Sequence, residues 1–122
     1  MMRLNHDCIR DILLYIEENT TDELDTLSSS DLISNFQSKY NEDTINYHLR
    51  KIHTAGLVDD ILYSEGIPDC ISSLSWEGHA YVDNIRDDKV WKKLKDISKC
   101  VTSVSLPILI ETAADVVKSF LF

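Results

Sequence analysis

The sequence predicts a mainly helical α+β fold with one small β-hairpin, and three observations carry that prediction. Apolar residues recur at three- and four-residue intervals over most of the chain. Residues that cap helices stand ahead of these recurrences, and one central segment is instead short, β-branched and aromatic. With 122 residues, 43% hydrophobic and 27% charged, and only 3 Gly and 2 Pro, the chain has the size and apolar content of an ordinary globular domain.

The first helix follows a cap at Asn5 and carries Ile9, Ile12, Leu13 and Ile16 on one stripe, with the acids Glu17 and Glu18 ahead of Asn19. Residues 20–27 are polar, a loop holding at most a short strand around Thr26 and Leu27. Ser30 or Ser29 is expected to cap a second helix with Leu32, Ile33 and Phe36 on one face, ending near Tyr40. Asn41 or Asp43 opens the third, whose stripe is Ile45, Leu49 and Ile52 and whose stop is Gly56, the residue type best suited to a left-handed cap. Leu57–Tyr63 and Cys70–Trp76, separated by residues 64–69, read as a hairpin. Ser75 or Ser73 then caps a fourth helix through Arg86, with Trp76, Ala80, Val82 and Ile85 expected inside.

Two amphipathic helices follow. Lys89–Cys100 places Val90, Leu94, Ile97 and Val101 on one stripe with Trp91 at its edge, and turns Lys92, Lys93, Lys95 and Lys99 outward. From Leu106 to Phe122 a broad apolar arc holds Leu106, Leu109, Ile110, Ala113, Ala114, Val116, Val117, Phe120 and Leu121, and Pro107 suits its first turn. Three helices, a hairpin and a further helix, in that order, describe a winged helix-turn-helix domain over residues 1–88, with residues 89–122 as a C-terminal helical appendage.

Three stretches sharpen this reading. Leu4-Asn5-His6-Asp7-Cys8-Ile9-Arg10-Asp11-Ile12-Leu13-Leu14-Tyr15-Ile16-Glu17-Glu18 resembles the opening of domain-of-unknown-function family 2513, found in phages and Gram-positive bacteria. Trp76-Glu77-Gly78-His79 with Asp83-Asn84-Ile85-Arg86-Asp87-Asp88-Lys89-Val90-Trp91-Lys92-Lys93, and Val104-Ser105-Leu106-Pro107-Ile108-Leu109, resemble the same family. Residues 20–75 match it mainly by pattern. The resemblance implies a winged-helix-like fold and a phage or prophage setting, and it brings no activity with it.

Charge bounds the partners. Twelve Lys and Arg against 21 Asp and Glu leave a net charge of −9, which repels phosphate backbones at long range. Residues 1–88 carry 6 basic and 18 acidic groups, and residues 89–122 carry 6 basic and 3 acidic. DNA reading, if present, is therefore local and falls on the third helix, where Thr44, Asn46, Tyr47, Arg50 and Lys51 are the candidate contacts. Asn46 suits an adenine edge, and Arg50 and Lys51 suit guanine or phosphate. Glu42, Asp43 and a hairpin tip without Lys or Arg count against DNA, so a protein-binding module with an acidic surface is the alternative.

Lys92, Lys93, Lys95 and Lys99 could hold phosphates or an anionic partner, although a solubilising face accounts for them equally. Leu106, Leu109, Ile110, Ala113, Val116, Val117, Phe120 and Leu121 point to self-association, as a homodimer. No catalysis, metal or cofactor is expected: His6, His48, His53 and His79 show no ligand spacing, no Gly-rich phosphate loop occurs, and His6-Asp7-Cys8 are helix neighbours that point apart. Three widely spaced cysteines suit a reducing cytoplasm, and the N-terminus lacks the apolar run of a secretory signal. Glu111, Asp115 and Lys118 interrupt the C-terminal apolar stretch at roughly 2.5–3.5 kcal/mol each near a bilayer centre, so no membrane span is expected.

Overall fold

The structure, a computed structural model, describes residues 2–99 and 104–122. Its elements run α1 (His6–Asn19), β1 (Thr26–Ser28), α2 (Ser29–Asn35), α3 (Glu42–Thr54), β2 (Ile61–Ser64), β3 (Ile67–Ser72), α4 (Trp76–Ile85), α5 (Asp88–Ser98) and α6 (Leu106–Leu121). The fold is mainly α with one small antiparallel sheet, as expected. It divides into two compact units, Met1–Gly78 and His79–Phe122, within α4 and ahead of the boundary the charge shift suggested.

Side-chain caps set most helix starts. Asn5 accepts from the Cys8 N–H, Asn41 from the Thr44 N–H, and Asp87 from the N–H groups of Lys89 and Val90. The second helix departs from expectation at both ends: Ser28 is its cap, Ser29 and Ser30 lie in its first turn, and it stops at Asn35. Residues 36–40 turn back instead, with the Lys39 and Tyr40 N–H groups on the Phe36 carbonyl. Tyr40 then donates its hydroxyl to Asp11, and Phe36 packs edge-on to Tyr15 at 5.8 Å. α3 stops where expected. Gly56, at φ 75°, donates to the His53 carbonyl and the Leu57 N–H reaches the Ile52 carbonyl, a Schellman closure.

The sheet order is β1-β3-β2, antiparallel throughout. The strands sit closer to the hairpin tip than predicted, because the turn needs only Glu65 and Gly66. Both have positive φ, 52° and 80°, the backbone that matches the twist of paired strands in a two-residue turn. Ile67, Pro68 and Asp69 therefore belong to β3 and not to the connection. Pro68 is tolerated because β1 pairs only with Cys70–Ser72, so no second strand requires its missing N–H. Leu62 faces Cys70 and Tyr63 faces Pro68, leaving Asp69 as the extra residue of a bulge.

The first unit is cored by Ile9, Ile12, Leu13 and Ile16 of α1, Leu32 of α2, Ile45, Leu49 and Ile52 of α3, and Ile61 and Ile71 of the sheet. α1 packs on α3, and α2 and α3 pack on β3. Each such side chain stabilises the fold by about 1.5–3 kcal/mol before chain entropy is counted. Gly78 makes a close approach: a Cβ there would overlap the Leu57 carbonyl, while Ser75 Oγ donates to the Gly56 carbonyl and accepts from the Gly78 N–H. Two expected interior positions of α4 are corrected. Trp76 is 85% exposed and Ala80 lies at the surface, whereas Tyr81, Val82 and Ile85 are buried. The helix starts one residue after Ser75, and that phase turns 81, 82 and 85 inward.

In the second unit α5 and α6 pack on each other. Val90, Trp91 and Leu94 are buried from α5, and Leu106, Leu109, Ala113 and Val116 from α6. Trp91 belongs to the interior and not to its edge, and Ile97, expected on the stripe, is 44% exposed in the last turn. Cys100 and Val101 lie outside the described residues.

Candidate binding surface

The third helix and the hairpin meet in one cluster of cations and aromatic rings. Arg50 donates from Nη2 to the Gly66 carbonyl at the hairpin tip, with its guanidinium carbon 5.7 Å from the Tyr63 ring centroid. His53 stacks on Tyr63 at 5.8 Å and accepts the tyrosine hydroxyl at Nδ1, 2.9 Å away, while Nε2 faces Asp60 at 3.5 Å. That carboxylate calls for the ring proton on Nε2 and so leaves Nδ1 as the acceptor. Lys51 Nζ stands 5.4 Å from the Tyr47 ring centroid. Arg50 is thereby a strut between α3 and the hairpin.

The other candidate readers are partly committed as well. Thr44 is half-buried, and its carbonyl accepts from His48 Nδ1 at 2.8 Å. Asn46 is half-buried with Oδ1 buried and no hydrogen-bond partner among the described residues. Rotating that amide would bury the donor in its place, so the pair of atoms an adenine edge requires is not presented together. Tyr47 is half-buried like Thr44 and Asn46, and Lys51 is exposed. Glu42 and Asp43 are exposed in the first turn.

The hairpin's outer face has a different chemistry. Leu62 pairs with Cys70, and beyond the bulge Ser64 pairs with Ile67, so these side chains share the face that Ser28 also joins. Leu62 is 62% and Ile67 50% exposed, and Cys70 is half-buried. The free edge of β2 is blunted, since Asp60 accepts the Ile61 N–H at 2.8 Å. Sequence reasoning missed this apolar face because the extra residue Asp69 resets which side chains share a side. Nothing in the local residue pattern announces a bulge.

The lysines of α5 are interleaved with acids. Asp88, Lys92, Lys95, Asp96 and Lys99 line, with Trp91, a shallow groove of about 350 Å³ on one helix face. Lys99 is paired with Asp96 at 3.4 Å, and Lys93 is drawn aside, its Nζ 5.2 Å from the Phe120 ring centroid and 3.5 Å from Ser119 Oγ. Three of the four lysines, Lys92, Lys95 and Lys99, thus share the groove with two acids, and Lys93 lies toward α6. Of the α6 positions expected to associate, Leu106, Leu109, Ala113 and Val116 are buried within the chain, Ile110 and Val117 are half-buried, and Phe120 and Leu121 are exposed.

Cys8 is fully buried, and burial, helped by the charge of Asp11, pushes its thiol up to about 12, so it stays protonated and weakly nucleophilic. Among the described residues no group of three His, Cys, Asp or Glu could hold a metal ion, and no helix is long and apolar enough to cross a membrane.

These features define a small α+β protein whose candidate sites are surface patches on helices and a hairpin. The chain belongs to the DUF2513 family of hypothetical proteins, whose family model matches residues 3–105. It is also similar to a protein of Haemophilus influenzae (strain ATCC 51907 / DSM 11121 / KW20 / Rd) described as an uncharacterized protein, at 29% identity over 123 residues, covering 98% of this chain and 99% of the relative. No solved structure matches the chain.

Proposed function

We propose that residues 2–78 form a winged helix-turn-helix module that binds a protein through the outer face of its hairpin, acts without catalysis, metal or cofactor, and works in a reducing cytoplasm. The element order α1-β1-α2-α3-β2-β3 and the sheet order β1-β3-β2 support the winged-helix reading. The observation that carries protein binding is the exposure of Leu62 and Ile67 on one face of a hairpin whose own tip residues, Ser64-Glu65-Gly66, include no Lys or Arg. Exposed apolar side chains set together mark interaction surfaces more often than phosphate-gripping ones. The C-terminal unit would join two copies through its helices, and the phage or prophage setting is part of the same reading.

DNA is the second reading, favoured by exposed Lys51 beside Tyr47 on α3. Titrating the full chain with random and prophage-derived duplex DNA at low and moderate salt, beside an Arg50→Ala, Lys51→Ala variant, separates the two. Protein binding predicts no salt-sensitive DNA affinity, together with a specific cross-linked adduct from a photoreactive residue at position 62 that Ile67→Ser abolishes. Tight DNA binding that steepens at low salt and is lost in the double variant would replace this reading with the second.

A further inference from the structure

α6 carries two apolar stripes, and only one of them is fully buried within the chain. Leu106, Leu109, Ala113 and Val116 are buried, and Phe120 extends that row beneath Lys93. Beside it run Ile110, Ala114, Val117 and Leu121, the first three half-buried and Leu121 71% exposed. Their spacing of four, three and four residues is the seam of a coiled coil, and it reads the same from either end. A seam with that symmetry superposes on itself under a two-fold axis at right angles to the helix, as a closed dimer of identical chains requires.

We propose that α6 pairs antiparallel with α6 of a second copy along this seam, an inference that rests on the self-association reading above. A two-fold axis between Ala114 and Val117 lays Ile110 against Leu121 of the second copy and Ala114 against its Val117. The small Ala114 lets the backbones approach at the centre. Exposed Glu111 and Lys118 occupy the same flank of the seam, on the side away from Ala113 and Phe120. In an antiparallel pair this flank meets the same flank of the other helix, so each Glu111 faces the other copy's Lys118, twice over. In a parallel pair it would meet the opposite flank, setting both charges against Ala113 and Phe120. Charge complementarity thus selects both the occupant, a second copy, and its direction.

Sedimentation of the full chain tests this with variants Leu121→Asp, Glu111→Lys, Lys118→Glu and the double reversal Glu111→Lys, Lys118→Glu, with circular dichroism melts to check folding. The expected result is a dimer that Leu121→Asp dissociates, that each single reversal weakens about tenfold, and that the double reversal restores. A wild-type chain that stays monomeric, or a dimer indifferent to Leu121→Asp, would overturn the association reading and this inference with it. A dimer that Leu121→Asp dissociates but the single reversals leave untouched, or the double reversal fails to restore, would overturn the antiparallel seam alone.

Discussion

His48 shows how one buried polar side chain ties two helices. It is 1% exposed, accepts the Asn5 N–H at Nε2 from 2.8 Å and donates from Nδ1 to the Thr44 carbonyl, so a neutral ring links α3 to the cap of α1. Burial is the main cause that lowers its pKa, with the charge of His6 adding to it and the Thr44 bond opposing. A depressed histidine pKa means that the unfolded chain takes up a proton first as pH falls. The contribution is therefore fully present above the unfolded value of about 6.5 and is lost as pH drops from there toward the folded pKa. His48→Phe should cost about 1–3 kcal/mol at neutral pH by stranding the Asn5 N–H, and should flatten the fall in stability below that point. Urea unfolding of both proteins across mildly acidic pH measures this, and parallel profiles would refute it. None of this was legible in the sequence, where His48 is one of four histidines without a partner in the local pattern.

At the level of elements, most of what depends on neighbouring residues could be read, the ends of α2 excepted, and what depends on distant ones could not. The caps at Asn5 and Asn41 and the stop at Gly56 are local chemistry, and the structure has them as read. Removing the Asn41 cap as Asn41→Ala should cost about 1 kcal/mol in thermal or urea unfolding. The strand limits went astray because a two-residue turn at Glu65 and Gly66 and the extra residue Asp69 set the register, and pairing is a long-range property. Gly78 illustrates the same divide. Within the sequence it is a mildly unfavourable helix residue, yet the Leu57 carbonyl occupies the place of its side chain. Gly78→Ala, which raises helix propensity, should therefore destabilise the protein by about 1–3 kcal/mol. A variant as stable as the parent would show that the backbone at Leu57 yields freely. The candidate site follows the pattern too: α3 residues were correctly placed on a helix, but the tie from Arg50 to Gly66 spans two elements and has no local signal.

Across the whole chain, charge is distributed so that its consequence differs from one unit to the other. Met1–Gly78 holds 15 acidic and 5 basic residues, and His79–Phe122 holds 6 acidic and 7 basic. A strongly acidic compact unit is destabilised by its own repulsion, and that repulsion is long in range, so salt screens it efficiently. Salt also screens exposed ion pairs such as Lys39 with Asp11 at 2.8 Å in the first unit and Arg86 with Asp83 at 2.8 Å and Lys99 with Asp96 at 3.4 Å in the second, but such surface pairs contribute only about 0–1 kcal/mol each. With 15 acids against 5 bases in the first unit, net repulsion outweighs such pairs, so raising ionic strength from low to physiological should increase the melting temperature. The rise should come from the first unit, which hydrogen exchange can report separately as stronger protection in α1 and α3 than in α6. If added salt lowered the melting temperature instead, local ion pairing would outweigh the net repulsion. The protein-binding reading would then have to rest on the apolar face of Leu62 and Ile67 alone.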